Sequence, residues 1–438
     1  MAGIVSLVLA LAIVAGFVGG LRPGIVGLLL IRPLCDRIFE LSRFDLAGKD
    51  ISYGAAINVV VIVAIGLVLY RLRNRVQITL WHAWVPFLLV TLIAVFYSPV
   101  AVDAFRKFLT YVSYMAMFAL PFVLVKTERD ALFFFKVIIL SSLAPVAYGL
   151  FQLASGWDWY QDARIASTFS HPNIFAFYLL TTIATVLSLL LSQRFQLPAA
   201  TRKLLGAYLI PLLILLVATK TRSAWLGCVI IFTVYGLIAD KRVLVMTLAL
   251  PLLPLFVPAV RERLADLSTG NEYVGWVQDV NAYAWRKLLW TKAVAYIAQR
   301  PLFGYGLYSF PYYSPSFFPL ETERGVDAHN VYVQLLFETG IMGLLSYLWI
   351  FVRQFQTLLR YLKLDRPALA MSMTMICVYL VTCYSDNILE YVSYGWCYWF
   401  TFGIIFADLS QYRVSVLSPG QGGPDNSFAG AMQHVRTA

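Results

Sequence analysis

The sequence predicts an all-α polytopic membrane protein, and its composition is the first observation behind that prediction. Of the 438 residues, 60% are hydrophobic and 13% are charged, whereas about 25% of the residues in an ordinary soluble domain are charged. The mean hydropathy is +0.73. The second observation is that apolar runs recur, each close to the roughly 20 residues that cross a bilayer as a helix. These features exclude a soluble globular enzyme.

Charged residues and Gly or Pro bound the apolar runs and predict about twelve transmembrane helices. A stretch at 24–42 is interrupted by Arg32, Pro33 and Asp36. It therefore predicts a short, broken or partly re-entrant helix that continues the first crossing. The predicted spans are 3–21, 52–70, 80–97, 105–125, 131–153, 171–192, 204–219, 223–239, 243–260, 331–352, 367–385 and 391–409.

Basic clusters in the short connections set the predicted orientation, because cytoplasmic loops carry an excess of Lys and Arg. Counting the spans alternately puts these clusters on the cytoplasmic side, together with both chain ends. The clusters lie at 71–75, 194–203, 241–242 and 353–366. The formal net charge of +11 is attributed to such loops, and no nucleic-acid partner is predicted. The connections predicted to lie on the outer side are then 98–104, 154–170, 220–222, 261–330 and 386–390.

The spans divide the chain into four predicted parts. These are an N-terminal transmembrane bundle at 1–260, a long outer loop at 261–330, C-terminal transmembrane helices at 331–410 and a disordered cytoplasmic tail at 411–438. The loop is far longer than usual connections, and Trp276–Gln299 has the spacing of a helix at a membrane interface. A structural cap over the bundle is the alternative interpretation of this helix.

Two arginines at the outer helix ends are candidates for anion binding, because charge at membrane depth costs about 2.5–3.5 kcal/mol. Arg164 precedes Ser170, which is predicted to cap the next span, and Pro172, which is predicted to open it. Arg222 begins a helix after a short turn. A helix start and an arginine together suit a diphosphate. For Lys220, a surface charge that anchors the helix end at lipid headgroups is favoured.

His329 ends the long loop and begins the next span. A helix start and nearby arginines disfavour imidazolium, so the ring is predicted to stay neutral and to accept a proton. A structural histidine is the alternative interpretation. Glu338 falls on the opposite face of this helix, which predicts a buried carboxylate bonded within the bundle. Asp36, Glu40 and Asp386 approach the outer side and stay alternative bases.

The sequence lacks the motifs of metal or nucleotide chemistry. It contains no D-x-D motif, Walker loop or Gly-rich dinucleotide turn, and His82, His171 and His434 have no ligand-like neighbours along the chain. The five cysteines are scattered through apolar stretches and are predicted to be buried hydrophobes. Arginines facing a diphosphate then predict a group transfer without metal or cofactor, in which the diphosphate leaves and a histidine is the base.

Four motifs resemble the O-antigen ligase and Wzy polymerase superfamily. They are R-x4-F-S-H-P-N from Arg164, T-R-S-A-W-L-G from Thr221, R-P-L-F-G-Y-G from Arg300 and H-N-x-Y-x-x-x-L-x-E-x-G-x-x-G from His329. The resemblance covers roughly residues 150–350. It implies a metal-independent, inverting, GT-C-like glycosyltransferase of the bacterial inner membrane, with its active site facing the periplasm. The implied donor is O-antigen on undecaprenyl diphosphate.

The resemblance also implies roles for individual residues. His329 would deprotonate the acceptor hydroxyl, and Arg164 and Arg222 would bind the donor diphosphate, with Arg286 in the loop helix as a further binder. For a ligase the acceptor is the lipid A-core oligosaccharide, whereas polymerases and protein O-glycosyltransferases share these motifs. No large extension follows the last span, which favours a ligase over a protein glycosyltransferase. A transporter of the same lipid is an alternative from another class.

Overall fold

The computed structural model describes residues 2–46, 49–72, 80–156, 164–249 and 282–417, together with 261 and 265. Strands β1 (Arg43–Leu46) and β2 (Lys49–Ser52) pair antiparallel, and a 3-10 turn covers Ile388–Glu390. The α-helices, in chain order, are α1 Ala2–Gly19, α2 Leu21–Leu34, α3 Asp36–Leu41, α4 Tyr53–Leu72, α5 Trp81–Phe96, α6 Ala101–Ala119, α7 Pro121–Leu124, α8 Glu128–Ser141, α9 Leu143–Ser155, α10 Pro172–Leu191, α11 Ala199–Ala218, α12 Arg222–Ile238, α13 Lys241–Leu248, α14 Ala282–Ile297, α15 Phe310–Phe317, α16 Val331–Tyr361, α17 Arg366–Ser385 and α18 Val392–Leu417.

The helical, multi-pass membrane character predicted from the sequence is confirmed. Within the described residues, six helical segments are long and apolar enough to cross a membrane. They are Ala101–Leu124, Glu128–Ser155, Pro172–Leu191, Ala199–Ala218, Val331–Tyr361 and Arg366–Ser385. The count of about twelve spans, the GT-C-like architecture and the four-part division of the chain stay predictions.

One predicted break between helices is present in the structure, and two short elements are present that the sequence does not predict. The predicted break in 24–42 is present, because α2 ends one residue after Pro33 and α3 begins at Asp36. The β1–β2 strand pair and α15 are not predicted, since segments of four to eight residues are too short for a clear apolar period.

Some predictions concern residues that lie outside the described parts of the chain. Helix α13 ends at Leu248, and residues 250–260 of the predicted span 243–260 lie outside the described residues. So do Arg73 and Arg75 of one basic cluster, and the tail from 418.

Aromatic packing around α18 holds the bundle together. This helix packs against α6, α7, α8 and α10. Its buried Trp399 lies edge-on to Trp84 of α5 with 4.5 Å between ring centroids, and Tyr398 stacks on Tyr379 of α17 at 4.2 Å. Such rings bury roughly 150–250 Å² each. Since lipid tails are as apolar as these side chains, close packing is what holds the helices to one another.

Helices α10 and α17 run antiparallel and define two ends of the bundle. At one end, Asn173 at the start of α10 bonds to Asp386, just after the end of α17. At the other, Ser192 after the end of α10 donates to Asp365 at the start of α17, over 2.5 Å. The 20 residues of α10 rise about 30 Å, which is the thickness of the hydrocarbon core. The two ends are therefore one bilayer apart.

Candidate active site

The long helix α16 is broken at Gly340, which has a left-handed φ of +64°. Segment 301–306 packs into this break, and Tyr305 donates its backbone N–H to the carbonyl of Phe337 over 3.0 Å. A Cβ atom on Gly340 would lie 2.3 Å from the backbone of Leu302, so glycine alone fits both the conformation and the space. The motifs that begin at Arg300 and His329 thus form the two sides of one junction.

Glu338 and Gln334 tie the first half of α16 to the segment before His329. Glu338 is 1% exposed, and its Oε1 accepts from Gln334 Nε2 at 2.5 Å and from the backbone N–H of Phe310 at 3.5 Å. Gln334 Oε1 in turn accepts the backbone N–H of Ala328 at 2.8 Å. The predicted role of Glu338 as a buried carboxylate bonded within the bundle is confirmed. Through Gln334 it fixes the residue that precedes His329.

His329 sits in a strained backbone conformation just before α16. Its φ of +48° is left-handed, which costs a non-glycine residue about 1–3 kcal/mol and is typical of functional sites. The Nδ1 atom lies 3.5 Å from Oδ1 of Asp386, and the ring meets Trp285 edge-on at 5.7 Å between centroids. The side chain is 40% exposed. A carboxylate and an indole therefore hold an imidazole that remains accessible.

Asp386 is the buried partner of His329. Its Oδ2 accepts hydrogen bonds from Asn173 Nδ2 at 2.5 Å and from the hydroxyl of Tyr391 at 2.9 Å. Burial raises the pKa of Asp386, but the hydrogen bond and charge of His329, with Arg286 and Asn173, outweigh burial and hold that pKa well below its usual range. The carboxylate is therefore ionised beside the imidazole ring of His329.

Arg164 joins the start of α10 to the turn before α12. Its Nη2 donates to Asn173 Oδ1 at 2.7 Å and to Thr221 Oγ1 at 3.2 Å, and its Nε donates to the carbonyl of Thr219 at 3.0 Å. These bonds fix the plane of the guanidinium group. Because the amide of Asn173 also donates to Asp386, one side chain links Arg164 to the partner of His329.

The turn at 219–221 presents a second arginine at a helix start. Lys220 has a left-handed φ of +51°, and Arg222 is the first residue of α12, as the sequence predicts. The first turns of α10 and α12 both open at this end of the bundle. Their backbone N–H groups and positive dipole ends favour a bound anion.

Helix α14 confirms the predicted loop helix over Ala282–Ile297, while 276–281 lies outside the described residues. Arg286 Nη1 donates to the carbonyl of Ser385, the last residue of α17, over 2.7 Å. Trp290 Nε1 donates to the carbonyl of Ala328, also over 2.7 Å. Helix α14 thus lies over the bundle and is tied to the residues on either side of the His329–Asp386 pair.

These side chains line one cavity of about 260 Å³. Each residue assigned to the site from the sequence, namely His329, Arg164, Arg222 and Arg286, lies on its wall. Lys220, favoured as a surface charge, lines it as well. The remaining lining residues are His171, Asn173, Thr221, Ser223, Ala282, Tyr283, Trp290, Tyr384, Ser385 and Tyr391.

His171 is a cavity residue that the sequence interpretation missed. Its Nδ1 caps α10 by accepting the backbone N–H of Asn173 at 3.0 Å. The expectation that Ser170 caps this helix is therefore wrong, because Ser170 donates both its N–H and its hydroxyl to Asp36 instead, each at 3.0 Å. The position of His171 just before the helix-opening Pro172 was the available signal, since residues that precede a Pro at N1 are candidate caps.

The pKa of His171 is strongly displaced. Burial, followed by the charges of Arg164, His329 and Arg286, lowers this pKa from 6.5 to about 4, against the opposing carboxylate of Asp386. The ring is therefore neutral near pH 7. Since Nδ1 accepts a hydrogen bond, Nε2 carries the proton.

Two of the alternative bases have other roles. Asp36 is 2% exposed and bonds to Ser170 and Ser393, and Glu40 accepts from Arg32 Nη2 at 2.8 Å. Neither carboxylate lines the cavity. Asp386 alone among the three alternatives reaches the site, where it contacts His329 rather than the cavity itself.

The cavity combines cations with an imidazole backed by an ionised carboxylate. Among the residues that the structure describes, no group of three or more His, Cys, Asp or Glu side chains is arranged to hold a metal ion; metal independence stays a prediction. The arrangement is able to bind a diphosphate by its arginines and to remove a proton by its histidine.

Fold and cavity together define a multi-pass membrane protein with a cationic, histidine-containing site at one end of its helices. Residues 207–348 match the family model described as O-antigen ligase, so this part of the chain is similar to that family. The matched range contains Arg222, Arg286 and His329, whereas Arg164 and Asp386 lie outside it. Members of this family are membrane enzymes that transfer glycosyl groups. No curated protein matches the chain.

Proposed function

We propose that this protein is an O-antigen ligase of the bacterial inner membrane. It transfers a polysaccharide from undecaprenyl diphosphate to a hydroxyl group of the lipid A-core oligosaccharide, with its cavity open to the periplasm. The observation that carries the proposal is the convergence of Arg164, Arg222 and Arg286 with His329 on one cavity. The family match over residues 207–348 supports the same class of reaction.

In the proposed reaction, His329 is the general base and Asp386 its orienting partner. Because Nδ1 of His329 faces Asp386, the other ring nitrogen, Nε2, takes the proton of the acceptor hydroxyl. The acceptor oxygen forms a bond to C1 of the donor sugar on the face opposite the diphosphate, so the configuration at C1 inverts. The imidazolium that results is stabilised by the ionised carboxylate of Asp386.

The leaving group is undecaprenyl diphosphate, which departs with the electron pair of the broken C1–O bond. Arg164, Arg222 and Arg286 and the starts of α10 and α12 stabilise the negative charge that develops on it. In this GT-C-type mechanism the arginines neutralise the diphosphate, as a divalent cation does in metal-dependent transferases, and no cofactor takes part. The apolar outer faces of the helices accommodate the polyprenyl tail.

The proposed orientation rests on the basic residues at the far end of α10 and α17. Arg194, Arg202 and Lys203 belong to that end, which the positive-inside rule assigns to the cytoplasm. The cavity is one bilayer away and therefore periplasmic.

A repeat-unit polymerase is the nearest alternative, because it differs from a ligase in its acceptor alone. A transporter needs a basic path that reaches the membrane midplane, whereas the cavity lies beside the starts of α10 and α12, at one end of the bundle. We therefore rank transport last.

The lipid and lipopolysaccharide profile of cells that lack the protein separates these functions. For a ligase, long polymer accumulates on undecaprenyl diphosphate while the core stays bare, and the wild-type gene restores transfer but His329→Ala does not. Single repeat units on the core would identify a polymerase instead. Retention of the lipid-linked glycan on the cytoplasmic side would identify a transporter.

A further inference from the structure

Aromatic side chains form a distinct part of the cavity wall. Trp290 of α14 and Tyr384 in the last turn of α17 both line the cavity, and their rings meet with 5.3 Å between centroids at 64°. We propose that this pair, the aromatic platform, binds a saccharide ring of the substrate. The inference rests on the proposed function and adds to it a subsite for the sugar beside the diphosphate.

The exposure of Tyr384 favours a binding role over a packing role. Its side chain is 55% exposed although the neighbouring Cys383 and Asp386 are buried. By contrast, Trp285 on the same helix as Trp290 is packed between Phe318 and His329. A large exposed ring on the wall of a polar cavity is typical of a ligand contact.

The platform is held in place by the same elements that carry the catalytic groups. The indole N–H of Trp290 donates to the carbonyl of Ala328, which precedes His329. Arg286, one turn before Trp290 on α14, donates to the carbonyl of Ser385, which follows Tyr384. The indole ring of Trp290 and the backbone beside Tyr384 are therefore fixed relative to the base and to a diphosphate-binding arginine. A fixed ring loses little conformational entropy when a ligand binds.

The chemistry of the substrate requires a sugar next to the arginines. The donor diphosphate is esterified to C1 of a sugar, so that sugar ring lies in the same cavity as the diphosphate. A pyranose ring has an apolar face of C–H groups and a rim of hydroxyl groups. The face packs on aromatic rings, and the rim is left for polar side chains. The acceptor sugar has the same chemistry and must also approach His329.

Binding measurements on purified protein in detergent test the platform. Tyr384→Ala removes the ring, Tyr384→Phe retains it, and Tyr312→Ala removes an equally exposed ring that does not line the cavity. The probes are undecaprenyl diphosphate with its glycan and undecaprenyl diphosphate without sugar. We expect Tyr384→Ala to weaken binding of the glycan-bearing lipid roughly three- to tenfold, with the sugar-free lipid and both controls unchanged.

Kinetic measurements with the acceptor show whether the platform binds the donor sugar or the acceptor sugar. If Tyr384→Ala instead raises KM for the lipid A-core oligosaccharide and leaves donor binding unchanged, the platform holds the acceptor, and the inference stands. Unchanged donor binding together with unchanged acceptor KM would overturn it. Failure of the proposed function gives a different result, namely that Arg222→Ala leaves binding of the sugar-free diphosphate lipid unaltered.

Discussion

Asn173 donates a hydrogen bond from Nδ2 to Oδ2 of Asp386 over 2.5 Å. The oxygen of the same amide accepts from Arg164 at 2.7 Å. One side chain thus contacts both a proposed diphosphate-binding arginine and the partner of the proposed base. In this arrangement the amide is a positioning group, since its donor end faces a carboxylate and its acceptor end faces a cation.

Replacing Asn173 by Asp tests this link. The variant keeps an oxygen for Arg164 but places a second carboxylate oxygen against Asp386, so the two groups share a proton and Asp386 holds His329 less firmly. We expect kcat to fall about ten- to hundredfold, since one charge-assisted hydrogen bond of roughly 1.5–3 kcal/mol is lost. Donor affinity should stay close to wild type, because the contact to Arg164 is retained. An unaltered kcat and pH–rate profile would contradict the positioning role.

His329→Ala should remove the general base while leaving the donor site intact. General-base catalysis typically contributes about 10²–10⁴-fold to the rate, so a loss of that size is expected in single-turnover transfer. Binding of undecaprenyl diphosphate and the thermal unfolding temperature serve as controls, and both should change little because the ring is partly exposed. Substantial transfer by this variant would remove His329 from the mechanism.

Arg222→Ala should weaken donor binding, since the variant removes a cation at the start of α12. We expect an approximately tenfold or greater rise in the Kd for undecaprenyl diphosphate, with partial recovery in Arg222→Lys, which keeps the charge but not the planar fork. Arg242→Ala is the matched control, because Arg242 is exposed near the start of α13 and does not line the cavity. Equal affinities of wild type and Arg222→Ala would refute the diphosphate assignment.

The depressed pKa of His171 predicts a pH dependence of stability. The native protein keeps this ring neutral down to about pH 4, whereas the unfolded chain protonates it near its ordinary pKa of 6.5. The unfolded state therefore binds more protons between these values, and stability falls as pH falls from 6.5 to 4. His171→Asn retains an acceptor for the cap but does not titrate. Between pH 6.5 and pH 4, the unfolding temperature of His171→Asn should fall less than that of the wild type. An equal fall in both proteins would contradict the prediction.

Gly340→Ala should destabilise the junction between α16 and segment 301–306. The left-handed φ costs alanine about 1–2 kcal/mol, and the contact of its Cβ with the backbone of Leu302 adds to this because neither backbone yields easily. Gly206→Ala in α11 is the control, since a Cβ there meets nothing within 4 Å. Thermal unfolding in detergent should separate the two variants clearly, and equal unfolding temperatures would show that the junction tolerates a side chain.

Much of the fold and part of the site follow from local features of the sequence. Apolar runs of bilayer length determine the helices, and the interruption around Pro33 determines the break between α2 and α3. The sequence predicts Arg222 and His329 as site residues because each lies at the start of a helix. Neighbouring residues along the chain determine where a helix starts. The four-residue strands and α15 are too short for their secondary structure to be predicted from apolar periodicity.

The partners of those candidates were decided by tertiary structure alone. His329 and Asp386 are 57 positions apart, and Asn173 and Asp386 are 213 positions apart. The antiparallel packing of α10 and α17 brings their ends together, and no local pattern encodes that distance. For the same reason the sequence left Asp36, Glu40 and Asp386 as equal alternatives, whereas the packed bundle turns the first two toward Arg32 and brings the third against His329.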